Sequence, residues 1–150
     1  QKGKVVSSRS VNWRAYGRKI PYGIHQPPGS DNALGELKFL FPNSHDIYMH
    51  DTPNRELFEK DVRAYSHGCV REQNPRELAA VLLGWDSAKI DEYVSTHGSE
   101  NVKLPAKVPV HLTYFTAWPG EDGQIKFYAD IYGRDKAMEN ARSAITLAQR

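Results

Sequence analysis

The residues best suited to chemistry in this sequence are one cysteine and two histidines that precede it. Cys69 is the only cysteine among the 150 residues, His67 lies two positions before it, and His50 lies nineteen positions before it. A free thiol is a weak nucleophile at its ordinary pKa of about 8.5, and a neighbouring imidazole, cation or helix N-terminus raises its thiolate fraction. These residue types therefore suit nucleophilic catalysis by Cys69.

The spacing between His50 and Cys69 requires the chain to fold back, because nineteen residues are too many for both to face each other within one element. Thr52 and Pro53 are typical of an N-cap and a first helical position, and residues 54–61 are rich in helix formers. Such a turn would deliver Cys69 opposite His50. In the alternative, Cys69 is only a small buried apolar side chain, as lone cysteines commonly are. The residue types alone favour neither a catalytic nor a purely structural role for Cys69.

The context of these residues resembles the active-site motif of the L,D-transpeptidases of bacterial cell walls. In that family a histidine precedes a run of six residues, which here are Ser66, His67, Gly68, Cys69, Val70 and Arg71. Other segments resemble the larger Gram-negative branch of the family, namely residues 26–29, 32–35, 38–43, 50–53 and 110–118. The resemblance extends from about residue 11 to residue 137.

The resemblance implies acyl transfer on peptidoglycan stem peptides, with one stem as the donor, a second as the acceptor, and a 3-3 cross-link as the product. Cys69 would be the nucleophile and His50 the base. The third member would be the backbone carbonyl of Asp51, although the family usually has glycine at that place. The resemblance also implies that carbapenems acylate the thiol.

Four residues around the thiol are candidates for oxyanion stabilisation and substrate binding. Gly68 suits an oxyanion donor because the missing side chain lets its backbone approach closely. His67 either adds a donor or fixes the loop. Arg71 is expected to hold a substrate carboxylate or to favour the thiolate, and Ser66 is grouped with it as a substrate-binding residue.

Two short segments before the motif are predicted strands. Residues 34–41 alternate between apolar and polar side chains in their second half, and residues 46–50 are the predicted hairpin partner. A period of two places Tyr48 and His50 on one face. Tyr48 therefore lines a cleft beside His50 and binds substrate, or it is an ordinary sheet residue.

The remaining pattern predicts a mostly β domain with inserted helices. Further strands are expected at 18–24, 107–118 and 124–132. Helices are expected at 74–83 and 87–97, and a last one capped by Asp135 with an inward stripe of Met138, Ala141, Ile145 and Ala148. The resemblance implies a β-sandwich.

Larger members of the branch carry further strands and a lid-like capping subdomain before the point that matches residue 1. Residues 1–150 therefore resemble the C-terminal part of an L,D-transpeptidase catalytic domain, as one domain. We expect the native precursor to be longer, with Gln1 at a processing boundary. Because the resembling enzymes act outside the inner membrane, we expect a periplasmic or cell-envelope location.

Composition argues against several other classes. The chain has 20 basic and 18 acidic residues and a formal charge of +2, without a basic stripe interleaved with aromatics, so nucleic acid is not an expected partner. No apolar run approaches the roughly eighteen residues of a membrane span. One cysteine excludes an internal disulfide and a cysteine-rich zinc site. No metal or cofactor is expected.

Two other functions fit the same residues. Water in place of the acceptor amine would make a cysteine L,D-carboxypeptidase or endopeptidase on the same stems. A non-catalytic cell-wall binding module with an inert Cys69 is the other. Binding alone needs no imidazole at a set distance from a thiol, which disfavours the module.

Overall fold

The described part of the chain is a mixed α/β fold with two small sheets and three α-helices. The structure, a computed structural model, describes residues 4–148, with side chains as far as Ile145. The strands are Lys38–Phe39 (β1), Met49–His50 (β2), Val70–Arg71 (β3), Ala117–Pro119 (β4) and Ile125–Phe127 (β5). The helices are Pro75–Leu83 (α1), Ser87–His97 (α2) and Arg134–Ala148 (α3).

The first sheet has the order β1, β2, β3, with β2 in the centre. β1 runs antiparallel to β2, so the predicted hairpin of residues 34–41 and 46–50 is confirmed, although each strand has only two residues. The turn explains the short strands. The Asn43 side-chain amide donates to the carbonyls of Phe41 at 3.0 Å and Ile47 at 2.7 Å. These side-chain bonds take backbone acceptors that a longer ladder would use.

The chain folds back between β2 and β3, as the spacing predicted. The helix predicted for residues 54–61 is a single 3-10 turn, Arg55–Glu59. β3 then pairs with β2 in parallel, and Val70 N–H donates to Tyr48 O at 3.1 Å. The thiol-bearing loop therefore ends directly beside the strand that carries His50.

The two predicted central helices are confirmed. α1 begins at Pro75 and ends before Gly84, whose left-handed φ of 66° closes the helix. α2 begins after Asp86, whose side chain accepts from Lys89 N–H at 2.7 Å. The helices pack together, and among the described residues Ala79 and Ile90 are the buried apolar ones.

Arg76 ties the helical pair to the first sheet. Its guanidinium contacts Glu36 at 2.5 Å and Asp91 at 2.5 Å. The hydrogen bond to Glu36 is the largest cause of a raised pKa for Arg76, partly opposed by desolvation, so this cation stays charged.

The extended segments are shorter than their alternation suggests. The predicted strand at 18–24 does not form, and the strand predicted for 107–118 is reduced to β4. The predicted hairpin with β5 is confirmed, with Trp118 opposite Lys126. Residues 107–116 form no regular secondary structure, since alternation does not provide a partner strand.

The last helix differs from the prediction in its cap and its stripe. The Asp130 carboxylate, not Asp135, accepts from the first backbone N–H groups of α3, including Arg134 at 2.9 Å. Met138 and Ile145 are exposed, so the stripe does not pack inward in the described chain. The side chain of Ala148, the fourth residue of that stripe, lies outside the described residues. No helix within residues 4–148 has the length and hydropathy needed to cross a bilayer.

Candidate active site

The parallel pairing of β2 and β3 places four of the predicted site residues on one face of the sheet. His50 lies opposite Arg71 in the register, and Tyr48 lies opposite Cys69 by its extension. Directly opposite residues point to the same side, and so do residues two apart in a strand. The structure therefore brings Tyr48, His50, Cys69 and Arg71 together. From strand spacing and rise, the His50 and Cys69 Cα atoms are diagonal neighbours about 8 Å apart.

His50 is held in one orientation by the residue that follows it. Its side chain is buried, and Nδ1 forms a short hydrogen bond with the backbone carbonyl of Asp51. A carbonyl oxygen only accepts, so this contact keeps the hydrogen on Nδ1. The lone pair of Nε2 is then available to take a proton.

Tyr48 lies beside both His50 and Cys69. Its ring packs edge to face against the His50 imidazole, with centroids 5.9 Å apart. Burial raises the pKa of Tyr48, and the charge of the neighbouring Cys69 and a hydrogen bond with its sulfur raise it further. The phenol therefore stays protonated at neutral pH and can donate to a thiolate.

The side chain of Asp51 has a separate function from its carbonyl. The carboxylate is buried and accepts from Thr52 N–H at 2.7 Å and Glu36 N–H at 2.9 Å. Arg55 adds an ion pair at 2.6 Å. Gly35 lies so close that a Cβ there would be 2.2 Å from the carboxylate. Asp51 is thus anchored on all sides, and its carbonyl has little freedom to turn away from His50.

The loop before the thiol is tied by its own hydrogen bonds. Ser66 Oγ donates to Cys69 O at 2.6 Å and accepts from Gly68 N–H at 3.1 Å. Gly68 has a φ of 152°, and a Cβ there would come 3.2 Å from Ile47. The Gly68 N–H is therefore already engaged within the loop. His67 is exposed, with no hydrogen-bond partner within residues 4–148.

Arg71 is half-buried on the face that carries the thiol. Its Nε is fully buried and has no hydrogen-bond partner in the described chain. A buried donor left without an acceptor is costly, and an anionic ligand would satisfy it.

Sequence reasoning missed Lys38, Arg55 and Gly35. Arg55 follows Asp51 by four residues, which is the spacing of an ion pair across a helical turn. Lys38 lies directly opposite His50, and a one-to-one register for the predicted hairpin would have found it. Gly35 had no such signal, because its close approach to Asp51 depends on the folded loop.

The arrangement suits covalent catalysis by a thiol. It combines a half-buried cysteine, a phenol donor beside the sulfur, an imidazole of defined tautomer, and an arginine with an unused donor. No cluster of three or more metal-ligating side chains occurs among residues 4–148.

Comparisons with known proteins confirm the resemblance. Residues 3–112 match the family model of the L,D-transpeptidase catalytic domain. Over 142 residues the chain is 40% identical to a Haemophilus influenzae protein named "Putative L,D-transpeptidase", and the alignment covers 93% of this chain. It covers 29% of that relative, so the chain spans less than a third of the relative's length. The chain belongs to the L,D-transpeptidase catalytic domain family.

Proposed function

We propose that this chain catalyses peptidoglycan L,D-transpeptidation through a thioester on Cys69. The observation that carries the proposal is the register of β2 and β3, which puts Cys69 and His50 on one face. A structural cysteine would need neither an imidazole of defined tautomer nor a phenol donor at its sulfur. Family membership supports the general reaction.

In the first half of the reaction, His50 Nε2 takes the thiol proton and the Cys69 sulfur attacks the carbonyl between the third and fourth residues of a donor stem. The imidazolium returns the proton to the departing nitrogen as the C–N bond breaks. D-Alanine leaves, and the acyl group remains as a thioester. The Asp51 carbonyl holds the imidazole throughout, because it accepts from Nδ1 in both protonation states.

In the second half, an amine of a second stem attacks the thioester. His50 removes a proton from the attacking nitrogen, and the thiol is released. The product is an amide between two third-position diamino acids, a 3-3 cross-link.

The oxyanion of each tetrahedral intermediate needs preorganised donors, worth about 3 to 4 kcal/mol each in other enzymes. Gly68 N–H is the proposed donor. It contacts Ser66 Oγ at 3.1 Å, so Ser66 sets the direction of the donor, and this contact must be shared or released during attack. His67 is exposed, so we propose that it donates to the oxyanion only if the loop closes over substrate.

The second candidate uses water in place of the amine, which gives a cysteine L,D-carboxypeptidase or endopeptidase. The two are separated by incubating the protein with tetrapeptide-containing muropeptides and measuring product mass. Dimers that have lost one D-alanine indicate transpeptidation, and tripeptide monomers alone indicate hydrolysis.

Variants test the assignment of roles. We expect Cys69→Ala to abolish acyl transfer and to leave the fold intact, since it removes about 1 kcal/mol of packing or less. His50→Ala should cost more acylation rate than His67→Ala. A residual thioester in Cys69→Ala would contradict the nucleophile assignment, and the reverse order of the histidine variants would exchange their roles.

The same thiolate should be acylated by carbapenems, whose strained carbonyl is a good electrophile. Intact-protein mass spectrometry should find one adduct, on the peptide containing residues 66–71, and none in Cys69→Ala. An adduct on any other residue would contradict the mechanism.

We further propose that residues 1–150 are the C-terminal part of a β-sandwich catalytic domain that acts in the periplasm or cell envelope. The motivation for this proposal is membership of a family whose substrate is peptidoglycan. Fractionation of cells that express the full protein tests the location.

A further inference from the structure

His50 lies between two cations in one row across the first sheet. β1 places Lys38 directly opposite His50, and β3 places Arg71 directly opposite it on the other side. Residues at matching positions of paired strands share a face, so both cations border the surface that carries the thiol. Across two strand spacings their Cα atoms lie about 10 Å apart.

Neither cation has an acidic partner in the part of the chain that the structure describes. The ion pairs within residues 4–148 join Arg55 to Asp51 and Arg76 to Glu36 and Asp91. The Arg71 guanidinium has a buried Nε without an acceptor.

The acidic groups nearest in sequence are occupied elsewhere. Glu36 is bound by Arg76, and Asp51 is bound by Arg55. Glu72 accepts from Asn74 N–H at 3.1 Å. Among the described residues, Lys38 and Arg71 therefore have no ion-pair partner on the face around His50, while Glu36 and Asp51 are paired with other arginines and Glu72 accepts from a backbone N–H.

The position of the Lys38 ammonium connects it to the site. Nζ lies 4.0 Å above the centre of the Tyr48 ring, and that same tyrosine contacts Cys69 and His50. A cation–π contact holds the ammonium over the face of the sheet and leaves its N–H donors free for an anion.

We propose that Lys38 binds a carboxylate of the donor stem, on the side of His50 opposite to Arg71. This proposal rests on the proposed function for the identity of the ligand. Arg71 lies two residues from Cys69 and takes one carboxylate of the stem, and Lys38 takes a second one on the other side of His50. A stem with both carboxylates free contacts both cations and is oriented by them. A stem with one of the carboxylates amidated contacts only one cation.

The test measures binding in the Cys69→Ala background, so that it does not depend on turnover. Tetrapeptide stems are prepared with all carboxylates free and with each carboxylate in turn converted to its amide. Their dissociation constants are compared for Lys38, Lys38→Met and Lys38→Arg proteins. Met keeps the length of the side chain and its contact with Tyr48 but removes the charge.

We expect Lys38→Met to weaken binding of the free-acid stem by roughly tenfold, the value of one charged hydrogen bond. For one of the amidated stems, affinity for the Lys38 protein should fall by a similar factor relative to the free-acid stem. The same amidation should cause almost no loss of affinity for Lys38→Met. Lys38→Arg should retain most of the affinity. Lys89→Met is the matched control, because Lys89 Nζ also lies over an aromatic ring, 4.1 Å from the centre of Trp85, and away from this face.

The proposal is overturned if every amidation lowers the affinity of Lys38→Met as much as it lowers the affinity of the Lys38 protein. It is also overturned if Lys38→Met binds the free-acid stem as tightly as the Lys38 protein does. Absence of stem binding by the Lys38 protein also overturns it. Failure of the thioester mechanism would show differently, as stem binding with the expected Lys38 dependence but no acylation when Cys69 is restored.

Discussion

At the scale of single residues, Tyr48 is the side chain that joins the thiol to the imidazole. Its raised pKa keeps the hydroxyl as a donor, and the Cys69 sulfur is its partner. We expect Tyr48→Phe to slow alkylation of Cys69 by iodoacetamide several-fold at pH 7, because the thiolate loses a hydrogen bond worth about 1 to 2 kcal/mol.

Tyr114→Phe is the control for Tyr48→Phe, since Tyr114 donates to Asp130 at 2.8 Å and lies in a different part of the chain. It should leave the alkylation rate unchanged. Equal slowing by both variants would show that the effect is a general loosening of the fold.

Gly35 is the residue whose small size sets the position of Asp51. Its φ is 62°, and a Cβ would be 2.2 Å from the Asp51 carboxylate. We expect Gly35→Ala to lower the free energy of unfolding by about 1 to 3 kcal/mol through overpacking, in addition to about 1 to 2 kcal/mol for the left-handed backbone. Acylation should also fall, because Asp51 can no longer hold His50.

Gly84 offers a matched comparison for Gly35. It has a φ of 66° and no atom within 4 Å of a built Cβ. Gly84→Ala should therefore show the backbone cost alone in urea unfolding and should not change acylation. Equal loss of stability in both alanine variants would contradict the steric role assigned to Gly35.

At the scale of elements, Arg55 joins β2 to the end of β3. Its guanidinium contacts the Asp51 carboxylate at 2.6 Å and also donates to the Gln73 carbonyl. Removing one partner of a buried ion pair costs about 3 to 5 kcal/mol. The Arg55 side chain is 48% exposed, so water recovers part of this loss. We expect Arg55→Met to cost about 1 to 2 kcal/mol and to lower acylation.

Arg76→Met is the comparison for Arg55→Met, because it also removes an ion-paired arginine from a bridge between elements. Urea unfolding and carbapenem acylation should be measured on both. Loss of stability in both variants, with loss of acylation only in Arg55→Met, is the expected result. Unchanged acylation in Arg55→Met would show that Asp51 holds His50 without it.

The start of α3 is expected to be sensitive to acid. Desolvation alone would raise the pKa of Asp130, but hydrogen bonds from Tyr114 and from the N–H groups of Lys136, Arg134 and Asp135 lower it overall. A lowered pKa means that this carboxylate stabilises the fold above its unfolded pKa of about 3.9. The contribution is lost as the pH falls through the lower, folded value.

Far-UV circular dichroism checks this prediction. Helicity should fall below about pH 4, and Asp130→Asn should show reduced helicity at pH 7 and a smaller acid step. Asp122→Asn is the control, since Asp122 accepts from Gln124 in the β4–β5 turn. An acid step of the same size in Asp130→Asn would contradict the role of this cap.

At the scale of the whole molecule, packing is concentrated around α1, α2 and the first sheet. Residues 99–111 are exposed throughout. They line one side of a cavity of about 870 Å³, with the α1–α2 pair and β1 on the other side. A segment with exposed backbone beside a cavity opens locally at low cost in free energy.

Limited trypsin digestion should therefore cut after Lys103 or Lys107 before it cuts after Lys89 in α2. Mass spectrometry of the early fragments identifies the site. Replacing Lys103 and Lys107 by glutamine should slow cleavage within residues 99–111. A first cut within α2 would show that the helical pair is not the more stable part.

Several features follow from the sequence alone because they depend on neighbours in the chain. Pro75 and Gly84 give the limits of α1, and Gly98 follows the end of α2, whereas Asn74 makes no side-chain cap hydrogen bond. Caps act within one helical turn, so a short window contains all the relevant residues. The motif around Cys69 likewise predicted the family, because its residues are contiguous.

The tertiary structure decided what depends on distant partners. The alternating segment 107–118 forms a strand only at β4, since alternation does not provide a neighbouring strand. The side-by-side placement of Tyr48 and Cys69 depends on parallel pairing across the turn, and the anchoring of Asp51 depends on Gly35 and Arg55. The ion pairs of Glu36 with Arg76 and of Asp51 with Arg55 also depend on the fold, and Lys38 has no ion pair within residues 4–148. Pairing and charge compensation are settled by contacts between segments far apart in sequence, and local patterns do not specify those contacts.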